Sequence, residues 1–176
     1  GVYPRGYVPR NPHLLWLDAS MVGASRVARD AARTTAQRVN LPDLMRQPGF
    51  AGLQHYWMTP WFDNVRFGRW DEIRAVPNPA PDLPYDTAIW NYAQAMAAIR
   101  QGRMEDANTH YAALSKLAAD PIMRTLMVWD RYPLAHAAHI AERTVNAELA
   151  LARGDQVTAI AALTEAVTIE VTAPKK

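Results

Sequence analysis

The chain has 176 residues, with 19 basic and 17 acidic side chains and a formal charge of +2. This length is enough for one domain with its own core, and so small a charge excess gives no electrostatic basis for binding nucleic acid. The sequence contains no cysteine, which excludes disulfides and thiolate zinc sites in this chain. It also contains no run of about 18 apolar residues, so we expect no insertion into a membrane.

Apolar residues recur at helical spacing in segments that proline or glycine residues interrupt. The first helix should begin at Pro12 with Asn11 as its cap. We expect Pro60 to kink or break its helix, residues 77–84 to form an irregular connector, and residues 130–133 to form a turn. The predicted helices span residues 12–22, 24–39, 40–48, 50–67, 70–76, 86–101, 104–118, 121–129, 134–153 and 155–169.

Four glycines share one setting, in which each ends an apolar helical segment just before another begins. They are Gly23, Gly68, Gly102 and Gly154. Glycine accepts the positive φ that closes a helix, so each position predicts a turn between two antiparallel helices. One such hairpin cannot bury its apolar face alone, and several must stack. The pattern therefore predicts an all-α fold, a right-handed superhelical solenoid of helix–turn–helix hairpins that covers residues 1–176 as a single domain.

Two hairpins carry a further signature after the glycine. Ala107 and Ala159 each lie five residues after the glycine of their hairpin, where a small side chain lets the second helix approach the first. A larger residue follows one turn later in both hairpins. This spacing is typical of the second half of a tetratricopeptide-type hairpin. The residues that we expect in the core are Trp16, Trp70, Tyr92, Met104, Ala107, Tyr111, Leu114, Leu149, Ala159 and Leu163.

Three segments together resemble a family of bacterial tetratricopeptide-repeat (TPR-like) proteins of uncharacterised function. They are GVYPRGYVPRNPHLLW, VRFGRWDEI and LPYDTAIWNYAQAMAAIRQGRMEDA. The resemblance covers residue 1 to about residue 169. It implies a longer parent protein, of which this chain is a fragment, and an exported or periplasmic bacterial setting rather than a cytoplasmic one. Arg10 and Asn91 stand where the family pattern has histidine.

The candidate binding site lies in the aromatic-rich N-terminal half. In helical-repeat proteins the first helix of each hairpin lines the concave surface, where aromatic side chains with polar tips are common anchors. Trp57 and Trp61, one turn apart, also fit the alternative of packing between helices. The residues that we expect to contact a ligand are Tyr7, Arg10, His13, His55, Trp57 and Trp61.

His136, His139 and Glu142 have the spacing of a possible metal site, because each follows the previous one by three residues on one predicted helix. Their positions spread across the helix surface among alanines, which favours ordinary helix packing. No phosphate-binding glycine loop and no nucleophile-elbow motif occurs. We therefore predict neither a metal, nor a cofactor, nor enzymatic activity.

The leading functional hypothesis is a non-catalytic scaffold that binds a protein or peptide on its concave face. An arginine beside aromatic rings suits an acidic segment or a peptide carboxyl terminus. The alternative is an enzyme or sensor with a small-molecule or metal pocket near the N-terminal aromatic segment. Self-association through exposed repeat ends is a third expectation, since the apolar faces of terminal repeats otherwise lack a cover.

Overall fold

The computed structural model describes residues 8–47, 49–128 and 132–173, and helices form most of this part of the chain. Among these residues, no helix combines the length and the apolar character that a membrane crossing requires. A 3₁₀ helix, Pro121–Arg124, precedes two short strands, β1 (Met127–Val128) and β2 (Tyr132–Pro133). The helices are α1 (Arg10–Met21), α2 (Ser25–Arg38), α3 (Pro42–Met45), α4 (Gly52–Trp57), α5 (Thr59–Arg66), α6 (Trp70–Arg74), α7 (Pro84–Arg100), α8 (Met104–Ala118), α9 (Leu134–Ala152) and α10 (Gln156–Thr172).

The four glycine turns form as the sequence predicts. Each of these glycines has a positive φ, between 67° at Gly68 and 78° at Gly154. The residue after the glycine donates its N–H to the carbonyl five residues earlier, as in Ala24 to Ala19 at 2.8 Å and Arg103 to Ala98 at 2.9 Å. This hydrogen bond defines the Schellman motif, which satisfies carbonyls left open at a helix end. The helices on either side pack as pairs, α1 with α2, α7 with α8 and α9 with α10.

Small residues fill the interfaces within these pairs. Ala107 and Ala98 are fully buried between α7 and α8, and Ala159 is buried with Ala150 between α9 and α10. Burial of Ala107, Ala159, Leu114 and Leu149 is confirmed. Five other expected core residues are half-buried: Trp16, Trp70, Tyr92, Met104 and Tyr111.

The prediction for Leu163 is wrong, because its side chain is 43% exposed. It lies on α10, whose inner face buries Ala159, Ala162 and Ala166. Leu163 lies toward the opposite side of α10, away from α9, which is the helix that α10 packs against most extensively. An apolar residue at helical spacing indicates an apolar face, but it does not tell which faces receive a neighbour.

A helix break near a proline and a pair of short strands make the middle of the chain irregular. The predicted break at Pro60 is confirmed, since α4 and α5 are separate helices that meet at Met58. The helix predicted over 121–129 is wrong beyond Arg124. There the chain is extended, and β1 pairs antiparallel with β2, Val128 opposite Tyr132. Gly52 allows this strand to lie against α4, because a Cβ on that residue would stand 3.2 Å from the Cα of Val128.

The start of the first helix is also earlier than predicted. The helix α1 begins at Arg10, so Asn11 lies inside it and makes no cap. Pro12 is tolerated there because the N–H groups of the first helical turn have no intrahelical acceptor.

A buried carboxylate joins the first hairpin to the next helices. Asp63 on α5 is 1% exposed and pairs with Arg69 in the glycine turn that follows. The indole N–H of Trp16 on α1 donates to the same carboxylate at 3.2 Å, and Arg69 donates to the carbonyl of Ser25 at 3.1 Å. A buried charge is stable only when paired and hydrogen-bonded, so these contacts fix α1 and the start of α2 against α5.

We predict that Ala107→Leu destabilises the protein by about 1–3 kcal/mol, because the added carbons have no space between α7 and α8. Ala112→Leu on the exposed side of the same helix is the matched control and should change stability by less than about 0.5 kcal/mol. Urea unfolding followed by circular dichroism measures both. Equal midpoints for the two variants would show that Ala107 does not limit the approach of the helices.

Candidate functional site

Two of the predicted site residues meet in the structure. His13 projects from α1 and His55 from α4, and their ring centroids lie 6.0 Å apart. His13 also contacts Tyr56 edge-on at 5.0 Å and Trp16 at 5.2 Å. The two imidazoles therefore belong to one aromatic cluster that joins the first hairpin to the following helix.

Burial keeps both imidazoles neutral at pH 7. Loss of solvation lowers the pKa of His13 to about 4. The pKa of His55 is also lowered to about 4, first by burial and then by the neighbouring charge that His13 would carry if protonated. Nδ1 of His55 shares a hydrogen bond of 2.8 Å with the hydroxyl of Tyr85 on α7. Nε2 of His13 is buried without a hydrogen-bond partner.

A small cavity adjoins this cluster, and we call it the aromatic pocket. Its volume is about 190 Å³. Its walls come from α4, α5, α7, β2 and α9, so the residues that form it are distant in sequence. The lining residues are His55, Phe62, Ile89, Tyr92, Tyr132, Ala137, Ile140, Ala141 and Thr144. Most of these side chains are apolar or aromatic, and the imidazole of His55 is one of the few polar groups.

The other predicted site residues have different surroundings. Trp57 and Trp61 contact each other at 5.4 Å and pack with the main hydrophobic core, and Trp61 is only 9% exposed. Neither lines the aromatic pocket. Arg10 is exposed in the first turn of α1, and Tyr7 lies outside the described residues. The contacts of the two tryptophans agree with packing between helices.

Sequence reasoning missed the residues that complete the pocket. The sequence predicts Tyr92 only as a core residue, and Phe62 is one of several aromatic residues close together in the chain. Tyr132 stands beside Pro133, and a proline indicates a change in chain direction rather than a binding site. Their convergence depends on how α7 and β2 pack against α4, which no local pattern reveals.

Two of the other histidines contact side chains that are not part of the aromatic cluster, and the ring of His136 meets that of Tyr132 at 5.5 Å. Nδ1 of His110 donates to the side-chain oxygen of Asn91 at 2.9 Å. Glu142 accepts from Tyr111 at 2.7 Å and from Ser115 at 3.1 Å, and it pairs with Arg143. Among the described residues, no group of three or more His, Asp or Glu side chains is arranged to hold a metal ion.

Comparisons with protein families, curated proteins and solved structures each gave no match. The resemblance to tetratricopeptide proteins consequently remains an expectation from the sequence. The function of the aromatic pocket is inferred from its own geometry.

One buried acid lies next to the Tyr85–His55 hydrogen bond. Asp86 in the first turn of α7 is fully buried, and neither of its carboxyl oxygens has a hydrogen-bond partner. Burial raises the pKa of Asp86 to about 7, although the charge of Arg46 opposes the rise. The neutral acid is thus the stable form in the folded protein over much of the acidic range.

This pKa predicts an unusual pH dependence of stability. In the unfolded chain Asp86 loses its proton near pH 3.8, whereas in the folded protein it keeps the proton until about pH 7. The contribution of Asp86 to the free energy of unfolding is therefore complete below pH 3.8 and is lost as the pH rises toward 7. We predict that Asp86→Asn gains stability relative to the parent by about 1.4 kcal/mol per pH unit in this window.

Urea unfolding of the parent and of Asp86→Asn at several pH values between about 3.5 and 7.5 tests this prediction. Asp82→Asn is the control, because Asp82 is exposed and its pKa is lowered by Arg46 rather than raised. Parallel stability curves for the parent and Asp86→Asn would contradict a raised pKa at Asp86.

Proposed function

We propose that this chain is a TPR-like, non-catalytic helical-repeat scaffold that binds a protein or peptide segment, with one apolar side chain of the segment inserted in the aromatic pocket. The observation that carries the proposal is the pocket itself, to which α4, α5, α7 and α9 contribute His55, Phe62, Tyr92 and Ile140. The helices α7 and α9 are both first helices of hairpins, and first helices line the ligand face in solenoids of this kind.

The size of the pocket favours a side chain over a whole small molecule. Pockets that enclose drug-sized ligands measure about 300–1,000 Å³. The aromatic pocket, at about 190 Å³, is smaller than that range. One aromatic or branched aliphatic side chain fits such a volume, with the rest of the segment lying outside it.

The electrostatics of the pocket favour an uncharged group. His55 is neutral at pH 7, and the pKa of Tyr92 is raised to about 12 by burial, so neither side chain supplies a charge. A charged group would lose its favourable hydration there without gaining a partner, whereas an apolar group has no favourable hydration to lose.

A second cavity supports the alternative of a small-molecule site. It measures about 500 Å³ and lies between the end of α3, the start of α7 and the 3₁₀ helix. Arg46 and Asp82 form a two-bond ion pair on its lining, at 2.6 and 3.1 Å. Gln54 also lines it, with a buried side-chain oxygen that has no hydrogen-bond partner. This volume lies within the range for small ligands.

A random peptide library displayed on phage tests the peptide proposal. We predict that selection on the immobilised chain enriches peptides with a shared aromatic or large aliphatic residue. Ala137→Leu should weaken the synthetic form of the best peptide at least about tenfold, a change of about 1.4 kcal/mol, because leucine fills part of the pocket.

Ala112→Leu carries the same substitution on an exposed face and should bind like the parent. Circular dichroism checks that both variants keep their helix content. A library that yields no sequence preference, or peptides that bind Ala137→Leu as well as the parent, would count against the aromatic pocket. Preferential loss of binding in a Gln54→Leu variant would instead favour the second cavity.

A further inference from the structure

The outer side of α10 carries a row of exposed apolar side chains. Helical geometry places them on one side at spacings of three or four residues. The row, called here the α10 outer face, consists of Val157 (81% exposed), Ile160 (66%), Leu163 (43%), Val167 (57%) and Val171 (60%). The charged residues of the helix, Glu165 and Glu170, fall outside this row, and Glu165 pairs with Arg143 of α9. So large an uncharged surface on one helix is typical of an interaction site.

Corresponding helices elsewhere in the chain are covered. The second helix of the first hairpin, α2, packs against α5, and the second helix α8 packs against α9. In each case the second helix of one hairpin meets a helix that begins the next unit. Among the described residues, no such helix lies against the outer face of α10. The missing neighbour should therefore be a helix that begins a hairpin and has its own apolar side free.

The helix α1 fits that description. Leu14 (44% exposed), Leu17 (40%) and Met21 (81%) lie on one side of α1, and we call them the α1 outer face. Their spacing of three and four residues matches the spacing on α10. This helix begins the first hairpin, just as α9 begins the last hairpin and packs against α8.

The charges of the two ends are also complementary. Residues 8–38, which form the first hairpin, contain five arginines and two aspartates, a net charge of +3. Residues 134–173, which form the α9–α10 hairpin, contain five acidic residues and two arginines, a net charge of −3. Opposite charges favour the encounter of unlike ends and disfavour the encounter of like ends.

We propose that copies of this chain bind head to tail, with the α10 outer face of one copy on the α1 outer face of the next. The interface joins two different surfaces, so each bound pair still has a free face at either end. Such heterologous contacts extend into a filament, or into a ring if the rotation closes. This association is independent of ligand binding in the aromatic pocket.

Two variants with complementary defects test the proposal by sedimentation equilibrium. The tail variant is Ile160→Lys with Val167→Lys, and the head variant is Leu14→Lys with Met21→Lys. All four side chains are exposed, so the substitutions should leave the fold intact, which circular dichroism checks. The parent should show a mass that rises with concentration above the monomer mass of 19.7 kDa. Each variant alone should remain monomeric.

The mixture of the two variants gives the sharpest result. One intact α1 face and one intact α10 face remain between them, so an equimolar mixture should form a dimer of about twice the monomer mass and grow no further. Added salt should weaken the association by screening the opposite charges. An Ala112→Lys variant adds one charge on another exposed face and should associate like the parent.

Three outcomes would overturn the proposal. The parent could remain monomeric up to its solubility limit. The tail variant could abolish association while the head variant does not, which would indicate a symmetric contact between two α10 helices. The equimolar mixture could also remain monomeric although the parent associates, which would show that the two faces do not bind each other.

Discussion

The helical architecture depends on the left-handed backbone conformation of the glycine that ends the first helix of each pair. The N–H of the residue after Gly102 donates to the carbonyl five residues before that residue, and the same bond forms after Gly154. So short a connection makes the next helix run back along the first. The two helices can approach closely only where small residues meet, as Ala150 and Ala159 do. A larger side chain there would separate the helices and displace every residue that they carry.

The aromatic pocket depends on the same constraint together with one helix break. Because α4 and α5 separate at Met58, His55 and Phe62 project from different helices. Their ring centroids still lie only 5.5 Å apart. The carboxylate of Asp63 then holds Trp16 and the first hairpin against α5, which keeps His13 beside His55. A neutral, mostly apolar cavity results, and that is the property on which side-chain recognition rests.

Local signals were sufficient for most helices, and long-range packing decided the rest. Glycine turns and helical periodicity depend on neighbouring residues, and α8 was predicted with the bounds it has in the structure. The β1–β2 pair was missed because Val128 finds its partner across a turn and its space beside Gly52. For the site, histidines at positions 13 and 55 could be named from the sequence. Their contact could not, since it depends on how α1 packs.

Isoleucine methyl groups allow the central claim, peptide binding in the aromatic pocket, to be measured directly. Ile89 and Ile140 line that pocket, Ile122 lines the second cavity and Ile160 lies on the α10 outer face. In the methyl spectrum of isoleucine-labelled protein, titration with the selected peptide should shift the Ile89 and Ile140 signals and leave Ile122 and Ile160 unchanged. Shifts confined to Ile122 or Ile160, with Ile89 and Ile140 unmoved, would contradict the account.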